Sequence, residues 1–217
     1  MDPGIIVSCQ PTKATPFDNF GSILAFAVTA EKFGAVGVKV CGVGHLREVK
    51  EILRLPVIAC TKAKAANNSV EVTPEFADWR SLFEAGADFI ATSSLKVVER
   101  VDPPLRAGLV FEADVFETAQ IASRLGVGFI STTLSGYTAA TFERFDPDPD
   151  FELLEQLTAK LGTPIIAEGR YSTFEHIHKA LSLGAHSICI GSAITRPDYL
   201  VNKFVKAFEN AAALCHS

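Results

Sequence analysis

The stretch "KLGTPIIAEG", Lys160–Gly169, decides how this chain is to be read. It closes an amphipathic segment on a glycine, passes a proline, runs through Ile165, Ile166 and Ala167, and ends on a carboxylate, Glu168. The same pattern occurs four more times, as "KFGAVGVKV", "EAGADFIATS", "RLGVGFISTT" and "SLGAHSICIGS". Gly34, Gly86, Gly126, Gly162 and Gly184 each stand where a left-handed residue stops a helix. The runs that follow are short and apolar on both faces, as strands of a covered parallel sheet are. Adding "GIIVSCQ", "LPVIACTK" and "AGLVFEA" brings the strand candidates to eight.

Helical periodicity fills the gaps, over 20–33, 44–54, 74–85, 115–125, 150–161, 173–183 and 198–214. Thr173 is an expected N-cap, and Pro74 and Pro197 suit first-turn positions. Between Ser93 and Arg106 two prolines leave room for only a short helix. Eight strands alternating with helices in 217 residues predict an α/β fold of one domain, a (β/α)8 TIM barrel over 1–217. An open doubly wound sheet is the alternative, but no G-x-G-x-x-G follows the first strand.

The net charge of −5, without a Lys/Arg block, argues against nucleic acid or an anionic membrane as partner. "MDPGIIVSCQ" lacks the basic start and apolar run of a signal peptide, and no stretch approaches the ~18 apolar residues of a membrane span. The five cysteines are odd in number and include no CxxC pair, which predicts a reduced, cytoplasmic protein. The five histidines show no ligand spacing with Asp or Glu, so no metal is expected; His176 and His178, two apart on a helix, face different ways.

A TIM barrel keeps its chemistry at the carboxyl ends of its strands. Polar residues that end apolar runs are therefore the candidates: Gln10, Lys39, Lys62, Glu112, Thr132, Thr133, Glu168, Arg170, Ser192, Thr195 and Arg196. A carboxylate at the end of a buried strand is costly unless it faces a polar mouth, which singles out Glu168. Gly169 lets the backbone approach a ligand. Gly191, Ser192 and Ala193 offer N–H groups at a helix start, beside Arg196, where an anion such as phosphate is favoured; the plainer alternative is a tight strand–helix turn. Lys62 projects its ammonium towards the same mouth.

The ordered set "GIIVSCQ", "GAVGVKV", "LPVIACTK", "EVTPEF", "EAGADFIA", "STTLSGYT", "IIAEGR" and "GSAITRP" resembles the N-acylmannosamine-6-phosphate 2-epimerases over nearly the whole chain. The resemblance implies a cofactor-independent barrel enzyme that interconverts N-acetylmannosamine 6-phosphate and N-acetylglucosamine 6-phosphate in sialic acid breakdown. It implies that Lys62 and Glu168 are catalytic. Gln10, Lys39, Glu112, Thr133 and Arg196 would contact the substrate, a phosphorylated N-acyl hexosamine. Gly169, Arg170, Gly191 and Ser192 would surround the phosphate. It also implies a homodimer, with the last helix contributing.

The chain departs from the family pattern at Lys39, where arginine is usual, and at Ala63, Lys64 and Ala65 after the catalytic lysine. It departs again at Thr92–Leu95 and at Glu112, where an aspartate is expected. The departures cluster around strands two to five, so another sugar-phosphate-converting barrel and an inactive sugar-phosphate-binding relative are the alternatives. Trp79 and the phenylalanines are expected in packing. Tyr137 is expected either at the ligand or as a loop cap, and "RFDPDPDFE" as an acidic loop that is solvated or covers the mouth.

Overall fold

The computed structural model describes residues 1–10, 15–64, 69–144 and 146–215. In chain order the strands are β1 (Gly4–Ser8), β2 (Gly37–Cys41), β3 (Val57–Cys60), β4 (Lys62–Lys64), β5 (Val70–Val72), β6 (Phe89–Thr92), β7 (Leu109–Glu112), β8 (Phe129–Ser131), β9 (Ile165–Glu168) and β10 (Ser187–Ile190). All but β4 and β5 close into one parallel barrel, in which β10 pairs with β1. Closure excludes the open-sheet alternative.

Side chains alternate across each strand, and this parity builds two cores. Ile6, Ile58, Val110, Phe129, Ile166 and Cys189 fill the barrel interior. Their neighbours Val7, Val38, Ala59, Leu109, Ile130 and Ala167 point outward and pack under the helices. Two residues beyond an interior apolar residue, the same parity faces the mouth. It carries Glu112 after Val110, Ser131 after Phe129, with Thr133 two residues further on, and Glu168 after Ile166.

The helices are α1 (Phe20–Lys32), α2 (Val43–Lys50), α3 (Phe76–Glu84), α4 (Leu95–Arg100), α5 (Phe116–Arg124), α6 (Phe151–Lys160), α7 (Phe174–Ser182), α8 (Ser192–Thr195) and α9 (Pro197–Cys215). Thr173 caps α7 by accepting from the His176 N–H, and Pro197 opens α9. Pro74 does not sit in a first turn: α3 begins at Phe76 with Glu75 as its N-cap residue. Four of the five helix-stopping glycines have φ between +87° and +88°. Gly162 differs, because α6 stops on Leu161, whose extended backbone already ends the helix. The short unit after β6 is a six-residue α4 followed by a 3-10 helix, Pro103–Gly108.

The antiparallel hairpin β4–β5 is an element the sequence reading did not anticipate. It stands on the mouth between β3 and α3, and Lys62 is its first residue. Ala65 lies outside the described residues. Trp79 stacks between Phe76 and Phe83, a packing role.

Candidate active site

The carboxyl ends of the strands surround a cavity of about 700 Å³. Of the residues the sequence marked for the site, Gln10, Lys39, Lys62, Glu112, Thr133, Glu168, Gly169, Arg170, Gly191, Ser192, Thr195 and Arg196 line it, whereas Thr132 does not: it is buried, and its hydroxyl donates to the Glu168 carbonyl at 2.8 Å. Their mutual arrangement could not be read from the sequence, and it assigns several of them neighbours that were not foreseen.

At the floor lies a buried ionic cluster. The Lys39 ammonium donates to Glu112 Oε1 at 2.5 Å and to both carboxylate oxygens of Glu168 at 2.8 Å. Lys39 and Glu112 are each only 2% exposed. An ammonium has three donors, and all three of these are directed at carboxylates. Lys39 therefore meets the cavity as a charge that holds two acids together.

Glu168 collects further donors. Ser131 Oγ lies 3.1 Å and Thr133 Oγ1 2.9 Å from its Oε2, and the two hydroxyls are 2.6 Å apart. Burial pushes the Glu168 carboxyl up, but the Lys39 charge and the hydrogen bonds from Lys39, Thr133 and Ser131 outweigh it and hold it below the usual carboxylate range. Glu112 goes the other way. Burial, with the Glu168 charge added, pushes its carboxyl up against the pull of Lys39. Burial works against the Lys39 charge, yet the two carboxylates raise its ammonium well above the ordinary lysine value. One cation between two carboxylates thus acts on them unequally: the Glu168 carboxyl is held down and the Glu112 carboxyl is pushed up.

Lys62 sits apart from this cluster. It is exposed at the start of β4, and among the described residues its ammonium makes no hydrogen bond or ion pair. Gln10 lies beneath, 4.0 Å from the Cys60 thiol.

The end of β9 explains why a carboxylate, a glycine and a guanidinium follow one another. Glu168 points inward. Gly169 adopts φ +108°, which a side chain rarely tolerates. Arg170 is left-handed as well, at φ +66°, an uncommon state for a residue with a Cβ. The turn folds its side chain back, so that Nε donates to the Asp148 carbonyl at 2.7 Å and Nη1 to the Ser135 carbonyl at 2.8 Å. The guanidinium also covers the Tyr137 ring, 5.3 Å from its centroid. Arg170 pins the loop after β8, and Tyr137 belongs to that assembly while also lining the cavity.

Asp148 reaches the wall, and Asp150 caps α6, so the acidic "RFDPDPDFE" loop helps to form the mouth; Phe145 lies outside the described residues. His176 lines the cavity while His178 is exposed, and no group of three metal-ligating side chains occurs among the described residues.

Gly191 precedes the four-residue α8, whose Thr195 hydroxyl donates to the Ser8 carbonyl at 2.8 Å. The Arg196 guanidinium is paired with Asp198, at 2.9 Å from Nε to Oδ1. Tyr199 and Lys203 of α9 reach the same cavity. The sequence reading missed Ser131, Tyr199 and Lys203. Ser131 was detectable, because it shares strand parity with Thr133, whereas nothing in the sequence directs α9 to the mouth. Of the departures, Thr92 is buried and donates to the Thr73 carbonyl at 2.9 Å, and Ser94 caps α4.

Comparison with known proteins agrees with this fold. The chain is 35% identical over 216 residues to the "Bifunctional enzyme NanE/NanK" of Brucella melitensis, covering 96% of itself but only 41% of that relative's length. It is 36% identical to the "Putative N-acetylmannosamine-6-phosphate 2-epimerase" of Klebsiella pneumoniae, covering 98% of this chain and 92% of the relative. The solved structure of the N-acetylmannosamine-6-phosphate 2-epimerase from Clostridium perfringens superposes with a TM-score of 0.85 at 31% identity, over 94% of this chain and 92% of the other. The family model described as "NanE: Putative N-acetylmannosamine-6-phosphate epimerase" matches residues 23–210, and the chain belongs to that family.

Proposed function

We propose that this protein interconverts N-acetylmannosamine 6-phosphate and N-acetylglucosamine 6-phosphate at carbon 2, without a cofactor, as a cytoplasmic step of sialic acid breakdown. The observation that supports this most is the Glu168 carboxyl group, fixed by Lys39, Ser131 and Thr133, in the same cavity as the Lys62 ammonium. Inverting carbon 2 requires the open-chain aldehyde, whose carbonyl acidifies the adjacent C–H. A carboxylate is a base and an ammonium an acid. Glu168 on one face removes the proton, and Lys62 on the other returns one to the resulting enolate. The reverse reaction exchanges the roles.

Lys39 and Thr133 act by holding Glu168, and Glu112 by holding Lys39. Gln10 faces the sugar. The phosphate end is assigned to the backbone around Gly169–Arg170 and Gly191–Ser192, with the Arg196 charge beside it, since barrels commonly bind phosphate in the loops after their last two strands.

Turnover of N-acetylmannosamine 6-phosphate in deuterated water, followed by NMR, tests the assignment. The expected result is deuterium at carbon 2 of the product, abolished in Lys62→Ala and in Glu168→Gln while circular dichroism is unchanged. Full activity in either variant removes that residue from the mechanism.

We further infer a homodimer. Residues 201–210 of α9 are exposed without exception, so no side chain of this segment is buried against its own barrel. Val201, Phe204, Val205 and Phe208 form one stripe at helical spacing, with Phe204 72% and Phe208 75% exposed. Every copy carries this stripe, and covering it with a second copy also fixes the helix that brings Tyr199 and Lys203 to the cavity.

A further inference from the structure

β2 and β3 end side by side on two cysteines. Cys41 and Cys60 are register partners across these strands, and both face the barrel interior, with Cys60 in its core and Cys41 packed against it. Partners on neighbouring strands stand about 4.8 Å apart, within the Cα separation of about 4.4–6.8 Å that a disulfide spans. Both thiols are free.

The two are not equivalent. Cys60 is fully buried, while Cys41 is partly exposed. The neighbouring Cys60 thiol, helped by Lys62, His45 and Lys39, outweighs burial and lowers the Cys41 thiol to about 6. Cys60 is pushed up by Cys41 and by burial. A partly exposed cysteine whose thiol is held down, in register with a buried cysteine on the next strand, is the arrangement in which one sulfur attacks an oxidant and the other resolves the product. Cys9 and Cys189, the other buried cysteines, have no such partner among the described residues.

We propose that Cys41 and Cys60 are a dithiol site that hydroperoxides convert to a cross-strand disulfide at the mouth of the barrel. The Cys41 thiolate attacks the terminal oxygen of the hydroperoxide. The O–O bond breaks, Cys41 becomes a sulfenic acid, and the departing alkoxide takes up the proton that Cys41 gave up earlier. Cys60 sulfur then attacks Cys41 sulfur, the S–O bond breaks, and hydroxide leaves as water with the Cys60 proton. Two thiols lose two electrons, and the hydroperoxide gains them.

The disulfide has a consequence for the site. Cys60 lies two residues before Lys62, and its sulfur contacts Gln10 at 4.0 Å and the Val40 carbonyl at 3.6 Å. Drawing Cys60 towards Cys41 shifts the strand end that presents Lys62. This second step rests on the proposed role of Lys62, whereas the disulfide itself does not.

The experiment treats the full chain with hydrogen peroxide, blocks free thiols and maps peptides by mass spectrometry, with turnover measured in parallel. The expected result is a Cys41–Cys60 cross-linked peptide, reversed by dithiothreitol, with turnover falling about 10-fold or more and returning on reduction. Cys41→Ser keeps basal turnover and becomes insensitive to peroxide. Cys60→Ser accumulates a sulfenic acid on Cys41 that dimedone traps. The proposal is overturned if both thiols remain open to alkylation, or if Cys9 or Cys189 is oxidised in their place. A disulfide that forms without loss of turnover leaves the site standing and removes its link to Lys62.

Discussion

Lys39 Nζ lies 2.8 Å from both carboxylate oxygens of Glu168, a residue 129 positions further along the chain. The contact crosses the barrel mouth, and the Glu112 carboxylate completes it at 2.5 Å. Two carboxylates this close repel unless a cation stands between them, and in a buried setting water cannot take that part.

Removing the cation should therefore harm the fold as well as the chemistry. Lys39→Met leaves two buried carboxyl groups facing each other, and breaking such a cluster from one side costs about 3–5 kcal/mol. The variant is expected to lose that much in urea unfolding. Adding Glu112→Gln should recover part of the loss, since one of the two acids is then neutral. Equal stability of Lys39→Met and the parent chain would mean that the cluster contributes nothing to folding.

The same cluster gives the stability curve a definite shape. Glu168 titrates below the usual range, so its contribution is complete above the unfolded carboxylate value of about 4.3 and disappears as pH falls through the lower folded value. Lys39 is raised, so its contribution is complete below the unfolded lysine value of about 10.4 and disappears as pH climbs through the higher folded one. Glu112, also raised, favours the fold when protonated and subtracts from stability as pH rises beyond about 4.3. Urea midpoints across the acid branch should drop less steeply in Glu168→Gln than in the parent chain. Glu112→Gln should instead flatten the slope above that value. An acid branch in Glu168→Gln identical to that of the parent would assign the titration to other carboxyls.

How much of this was legible depended on whether a feature is local. The helix–glycine–strand rhythm is local, and it yielded the barrel and most helix limits, because a left-handed glycine and a two-sided apolar run reveal themselves within ten residues. Gly162 misled because a helix can also stop on an extended residue, as α6 does at Leu161. The mouth residues were legible because each ends an apolar run. Their pairing was not, since Lys39, Glu112 and Glu168 meet only when the sheet closes. The bond from Thr133 was hidden for the same reason: Thr133 lines the cavity, and its acceptor, Glu168, is on the next strand. The β4–β5 hairpin was hidden because "TKAK" and "VEV" are too short and too polar to carry a strand pattern.

The last helix offers a test that does not involve the cavity. Leaving Val201, Phe204, Val205 and Phe208 in water forgoes about 1.5–3 kcal/mol for each side chain that a partner could bury. An amphipathic stripe with such a gain available is expected to find a second copy at micromolar concentration. Phe204→Glu combined with Phe208→Glu places two charges on the stripe and leaves the barrel core untouched, as both residues are more than 70% exposed. Sedimentation analysis should then report a dimer for the parent chain and a folded monomer for the variant. Because Tyr199 and Lys203 sit at the base of the same helix, the monomer should also bind the sugar phosphate more weakly. A parent chain that sediments as a monomer would overturn the homodimer.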